Sequence, residues 1–232
     1  MGGTATVSGM RPLLVLLIIA LATVAACTDD GAGGDGGPGE RTDASALADA
    51  YLDEVRAVIA QQEADGVPAT PLGRRLEECL VADDAALSAI AAGLDIGDST
   101  GEVLNATVQD PDGAAPAITC AVRFGEASAG AVVLNAAPST EQPDALRARL
   151  RDAGFVEIDD ATAEGLPDDE VLLFDATTFE ASRAVWLADG FQVSLTANTD
   201  LASTGALLAA LPVAVREVTR TVGVPEGAEA DS

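Results

Sequence analysis

The sequence predicts an α+β domain, a twisted antiparallel sheet covered by helices, and three observations carry that expectation. Apolar residues fall at helical spacing from Leu47 to Ile59, the pattern turns to alternation beyond Gly101, and residues 183–196 hold two alternating runs around Asp189-Gly190. The glycine of that pair accepts the positive φ of a two-residue turn, so the two runs read as a β-hairpin.

Each element has its own warrant. Leu47, Tyr51, Val55, Val58 and Ile59, with Leu52 beside them, mark the first helix, which Gly66 and Pro68 stop. Thr70-Pro71 resembles an N-cap with proline at the first helical position, which predicts a short helix carrying Leu76, Cys79 and Leu80. Asp83 or Asp84 caps a third helix, with Leu87 and Ile90 inward and Gly93 at its end. Strands follow at 103–108, 117–124 and 129–135, the first two joined by the turn Asp110-Pro111-Asp112-Gly113. Ser139 or Thr140 caps a helix that runs to Ala153, closes at Gly154 and turns Leu146 and Leu150 inward. Strands at 155–158 and 171–176 flank an acidic loop, and after the hairpin Leu207, Leu208, Leu211, Val215 and Val218 mark a last helix, bent at Pro212 and ending near Gly223.

Ahead of this domain stands a targeting segment. Arg11 precedes an apolar run over residues 12–26, which as a helix spans roughly 22 Å, short of the roughly 30 Å hydrocarbon core. A positive flank, a leucine-rich stretch and small residues before the cut are the parts of a secretory signal. Val24-Ala25-Ala26-Cys27 resembles the lipobox of bacterial lipoproteins; the resemblance implies cleavage behind Ala26 and a diacylglyceryl thioether on Cys27. Two acyl chains contribute nominally on the order of 20 kcal/mol of membrane affinity. Residues 1–26 are then a signal peptide and residues 27–42 a lipidated cysteine with an acidic, glycine-rich tether that holds the domain roughly 20 Å from the lipid. Residues 43–223 form one domain and 224–232 a loose tail. The expected location is the extracytoplasmic face of the cell membrane.

Composition removes whole classes of chemistry. The chain has 12 basic residues, all arginine, against 38 acids and no histidine; behind the signal, 11 arginines face the 38 acids for a net −27. A surface of that sign repels phosphate backbones, which excludes nucleic acid as a partner. Without histidine there is no Ser-His-Asp or Cys-His pair and no imidazole zinc site, and without lysine no P-loop or Schiff base. Arginine in place of lysine, with abundant alanine and glycine, is what GC-rich codons produce. No internal repeat stands out.

Few residues remain as candidates. Cys79 and Cys120 are the pair left once Cys27 is lipidated, and an even pair outside the cytoplasm bridges. The acidic loop at 159–170 offers oxygen ligands of the kind calcium takes but lacks the spacing and glycine of a calcium loop, so it reads as solvated, and no metal or cofactor is expected. Arg147, Arg149 and Arg151 read as a solvated helix face with Asp144 near for pairing. Trp186, flanked by Val185 and Leu187, shares its side of the strand with Ala184 and Ala188, whose small side chains leave room for a ligand beside the indole; packing against the core is the competing reading.

Cys79-Leu80-Val81 followed by Asp83-Asp84-Ala85-Ala86-Leu87, Thr119-Cys120-Ala121-Val122 in a strand, and Gly165-Leu166-Pro167-Asp168-Asp169-Glu170 before another strand together resemble a group of actinobacterial envelope lipoproteins. Their domain is of unknown function, similar in layout to the extracellular sensor domain of a mycobacterial serine/threonine kinase, and the resemblance implies no catalytic residue. The expected function is a non-enzymatic binding or sensing module for a small molecule, an envelope lipid or a protein partner. The alternative is a carboxylate-dependent hydrolase acting on envelope glycans.

Overall fold

A computed structural model describes residues 44–70, 73–96, 101–109, 116–124, 131–159, 161–176 and 178–222. The signal, Cys27, the tether, the turn at 110–113 and the tail fall outside the described residues. In chain order the elements are α1 (Ala44–Ala64), β1 (Arg74–Leu76), α2 (Asp84–Gly93), β2 (Gly101–Gln109), β3 (Ala117–Phe124), β4 (Val132–Ser139), α3 (Pro143–Asp152), β5 (Val156–Ile158), β6 (Val171–Ala176), β7 (Ala181–Ala188), β8 (Gly190–Asn198) and α4 (Thr204–Thr221). A single turn of 3-10 helix, Asp168–Glu170, leads into β6.

All eight strands lie in one open antiparallel sheet in the order β1-β2-β3-β4-β8-β7-β6-β5. The order is palindromic: two four-stranded meanders, β1–β4 and β5–β8, meet along β4 and β8. The expected fold class therefore holds, one sheet with helices and one disulfide.

One face of the sheet is mainly apolar, with the hydrogen-bonded pair Ser182 and Asp175 near one edge, and it carries the main core. Leu47, Tyr51 and Val55 of α1, Leu87 and Ile90 of α2, and Leu207, Leu211, Val215 and Val218 of α4 pack on Ile118, Cys120, Leu134, Ala136, Val193 and Leu195. Tyr51 enters deepest: its ring meets Phe191 edge-on at 5.3 Å, and its hydroxyl donates to the Ala136 carbonyl and accepts from the Ile118 amide, both at 2.8 Å. Burial pushes that phenol well above its ordinary pKa. Cys79 and Cys120 are bonded, with Cα atoms 5.8 Å apart, and tie the segment after β1 to β3 on this face.

On the other face a smaller core joins α3 to one end of the sheet: Leu146, Leu150 and Phe155 pack on Leu172, Phe174, Val185 and Leu187. Among the described helices, α3 alone sits there.

Two expected elements differ. Among the described residues, 70 and 73–80 form no helix: Thr70 and Gly73 exchange paired backbone bonds, and Arg74–Leu76 then pairs with β2 as an edge strand. Gly73 has φ +98°, and a Cβ on it would stand 2.4 Å from the Val108 carbonyl oxygen, so a glycine turn against β2 wins over the N-cap pattern. The helix expected to start at Ser139 or Thr140 starts instead at Pro143, because Ser139 is still paired to Gly190 as the end of β4. Asp83 does cap α2, accepting from the Ala86 amide, and α4 runs through Pro212 to Thr221.

Candidate functional site: the polar face of the sheet

The β7–β8 hairpin sorts its side chains by alternation. Ala188 pairs with Phe191 across Asp189-Gly190, and Gly190 takes φ +102° as the turn demands. Ala184, Trp186, Ala188, Phe191, Val193 and Leu195 point into the main core, while Arg183, Val185, Leu187, Gln192, Ser194 and Thr196 take the opposite face.

Followed across that second face, one row of residues changes character between β7 and β8, while in the next row the polar Arg183 and Thr196 are followed by the apolar Val133 and Ala121. A row of register partners runs Leu172, Val185, Ser194, Asn135, Thr119, Thr107, apolar on β6 and β7 and polar from β8 to β2. Asn135 donates to the Thr119 hydroxyl at 2.9 Å and to the Ile118 carbonyl at 3.1 Å, so the polar floor is ordered by its own bonds. Gln192 and Ser194 are buried, and Thr196, Asn135 and Thr119 half-buried.

Arg183 stands at the boundary, between Phe174 on β6 and Thr196 on β8. Its guanidinium makes one hydrogen bond, Nη2 to the Ser194 hydroxyl at 3.0 Å, and its Nε is shielded from solvent with no partner. Part of the side chain remains open. Among the described residues five arginines are half-buried, and Arg74, Arg123, Arg147 and Arg149 each hold a carboxylate; Arg183 holds none. Desolvation, then the nearby charge of Arg149, lower its pKa to about 10, and Glu141 offsets part of this. Glu141 is itself gripped by Arg149 through Nε and Nη2, at 2.9 and 2.7 Å, so this neighbouring pair is close to neutral.

At the β5 edge lies a cleft of about 600 Å³ lined by Arg147, Glu157, Asp159, Thr162, Asp168 and Leu172 among others. Glu157 there accepts from Arg147 Nε at 2.8 and 3.0 Å, and Arg147 also holds Asp144 at 3.0 Å. Glu157 is accordingly the first cause of the raised Arg147 pKa. The pairing with Asp144 is the one expected of this helix face. Among the described residues no three carboxylates or thiols converge as a metal ion needs.

The residues singled out from sequence fall in different places. Cys27 lies outside the described residues, and Cys79 with Cys120 forms the disulfide. Trp186 is 3% exposed and Ala184 and Ala188 are buried beside it; the indole packs in the main core and its Nε1 donates to Glu170 at 2.8 Å. The side of β7 expected to be open is thus the closed one, because α4 covers it, and the opposite side carries the polar groups. Taken alone, the sequence marks Arg183 only as the first residue of a strand. Its signal was present in the alternation: Gln192, Ser194, Thr196 and Asn198 occupy every second position of β8, a polar stripe that Arg183 joins. Against known protein families, curated proteins and solved structures, the chain gives no match.

Proposed function

We propose that the chain is a non-enzymatic binding or sensing module, lipid-anchored through Cys27 on the extracytoplasmic face of the membrane, whose ligand rests on the polar face of the sheet beside α3. The observation that supports this reading is the unequal dress of the two faces. One is mainly apolar and covered by three helices, whereas the other carries a row of hydroxyl and amide side chains, Ser194, Asn135, Thr119 and Thr107, across β8, β4, β3 and β2, with Val133 and Ala121 beside it. A sheet that needed only to be stable would gain from apolar residues at the buried positions Gln192 and Ser194, since buried polar groups cost free energy unless paired. Convergent polar groups beside an apolar patch are the usual furnishing of a small-molecule site.

The test uses the full chain extracted from the envelope in mild detergent. Native mass spectrometry is expected to find a non-covalent small-molecule adduct, and Thr196→Trp, which fills the polar face from a half-buried position, is expected to lose it with near-native circular dichroism. No adduct in the wild type, or an adduct unaffected by Thr196→Trp, refutes the reading. For the anchor, Cys27→Ala is expected to leave an unprocessed precursor or a released form.

The hydrolase alternative has a specific address in the cleft at the β5 edge, which Glu157, Asp159 and Asp168 help to line. Glu157 is the least exposed of these and is already engaged by Arg147. Release of reducing sugar from envelope glycans, abolished by Glu157→Gln, would transfer the assignment to that cleft.

A further inference from the structure

Resting on that binding reading, we propose that Arg183 is the anchor for a carboxylate group, so that the ligand on the polar face is a hydroxylated monocarboxylate.

The first argument is the missing partner. Acids outnumber arginines by 38 to 12, and the other half-buried arginines of the described residues all hold a carboxylate, yet Arg183 is left with one serine hydroxyl. A guanidinium largely withdrawn from water without a carboxylate partner costs free energy. Its retention at the centre of a sheet face is explained if the partner arrives with the ligand.

Geometry narrows the ligand. Nε and Nη2 form the edge of the guanidinium that meets a carboxylate in two parallel hydrogen bonds. In this same protein Arg149 uses that edge to hold Glu141. On Arg183 the Nε hydrogen has no acceptor and is shielded from solvent, so a carboxylate reaches that edge only when the groups that cover it shift, and Nη2, which carries two hydrogens, spends one on Ser194.

Charge sets the valence. Arg149 and Glu141 nearly cancel, so the site offers one uncompensated positive charge within a chain of net charge −26. A monoanion is neutralised there; a dianion such as phosphate is left with excess negative charge in a negative field. Beyond the anchor, the Thr196 hydroxyl and the Asn135 amide lie on the same face toward β4, with Val133 and Ala121 as the apolar register partners behind Thr196, a mixed surface suited to the hydroxylated carbon skeleton of a small acid.

The experiment uses full-length chain in detergent with arginine labelled by nitrogen-15, and follows the Nε–Hε resonances and the melting temperature. Acetate and glucuronate are the probes, with phosphate and chloride at matched ionic strength as controls. Glucuronate is expected to shift the Arg183 resonance saturably and raise the melting temperature, more strongly than acetate and at least tenfold more tightly than phosphate. Arg183→Gln is expected to lose at least tenfold in glucuronate affinity without loss of folding, and Arg183→Lys, which keeps the charge but not the fork, to fall between. Equal binding of phosphate overturns the monocarboxylate assignment. Absence of any carboxylate response, or an undiminished one in Arg183→Gln, overturns the anchor. If Arg183→Gln still carries the native adduct that Thr196→Trp loses, this inference fails while the binding reading stands.

Discussion

At the residue scale two buried polar side chains behave oppositely. The Tyr51 hydroxyl sits between a donor and an acceptor of β3 and β4, register partners that it bridges. Tyr51→Phe keeps the ring contact with Phe191 but leaves the Ile118 amide and Ala136 carbonyl without that partner, a loss of about 1–3 kcal/mol. Urea unfolding should report it as a lower midpoint with unchanged slope; an unchanged midpoint would contradict the bridging role. Arg183 is the reverse case, a polar group whose removal should stabilise. The folded arginine lets its proton go near pH 10, the unfolded one only at a higher pH. The unfolded state therefore holds the extra proton between those values, and the term favouring unfolding is complete below pH 10 and fades above it. Its size is on the order of 3 kcal/mol before the open part of the side chain is allowed for. Arg183→Met should raise stability at pH 7 by about 1–3 kcal/mol, with the gain shrinking above pH 10. A destabilised Arg183→Met would mean that the guanidinium is structural.

At the element scale the contact between α2 and α4 depends on small residues. Gly93 approaches the α4 backbone so closely that a Cβ would lie 3.0 Å from the Ala210 Cα, and Ala86, Ala91 and Ala214 are buried in the same layer. Leucine at this position would force the helices apart or adopt a strained rotamer. Gly93→Leu should cost about 2 kcal/mol or more, read as a lower melting temperature, whereas a tolerated Gly93→Leu would show the interface to be looser than drawn. Arg220 adds a link near the same interface by gripping the capping residue Asp83 through both carboxylate oxygens, at 2.8 and 2.9 Å. The backbone bond to Ala86, and then Arg220, hold the Asp83 carboxyl below the usual carboxylate range. Because the pair is exposed, its value is small.

For the whole molecule, the sheet is two meanders built from local pairings, joined by one non-local contact between β4 and β8, where Leu134 faces Leu195 and Ala136 faces Val193. The disulfide acts on the first meander: it spans 41 residues and fastens Cys79, which precedes α2, to the middle of β3. In the chain-entropy picture such a loop is worth roughly 3–4 kcal/mol. Reduction, or the double replacement of Cys79 and Cys120 by serine, should lower the melting temperature by roughly 6–15 °C. A shift under about 2 °C would mean that native packing alone holds the two segments.

Local signals were legible in the sequence wherever a short stretch carried its own period, cap or turn. The spacing of Leu47, Tyr51, Val55 and Ile59, the cap at Asp83, the Asp189-Gly190 hairpin and the Cys79–Cys120 pair all appear in the fold as expected. The N-cap pattern at Thr70-Pro71 is weak beside a strand edge that offers hydrogen bonds to Arg74–Leu76. Alternation also divided the hairpin correctly into two sets, Trp186 with Ala184 and Ala188 against Arg183 with Val185 and Leu187. Which set faces helices and which faces the polar floor is not a property of the hairpin. Period two is symmetric between the two sides of a strand. The side is decided by where α4 and α1 return to pack, and by the registers that carry Ser194, Asn135 and Thr119 into one row. Those contacts join residues far apart in the chain, so only the tertiary structure turned Trp186 inward and left Arg183 on the polar face.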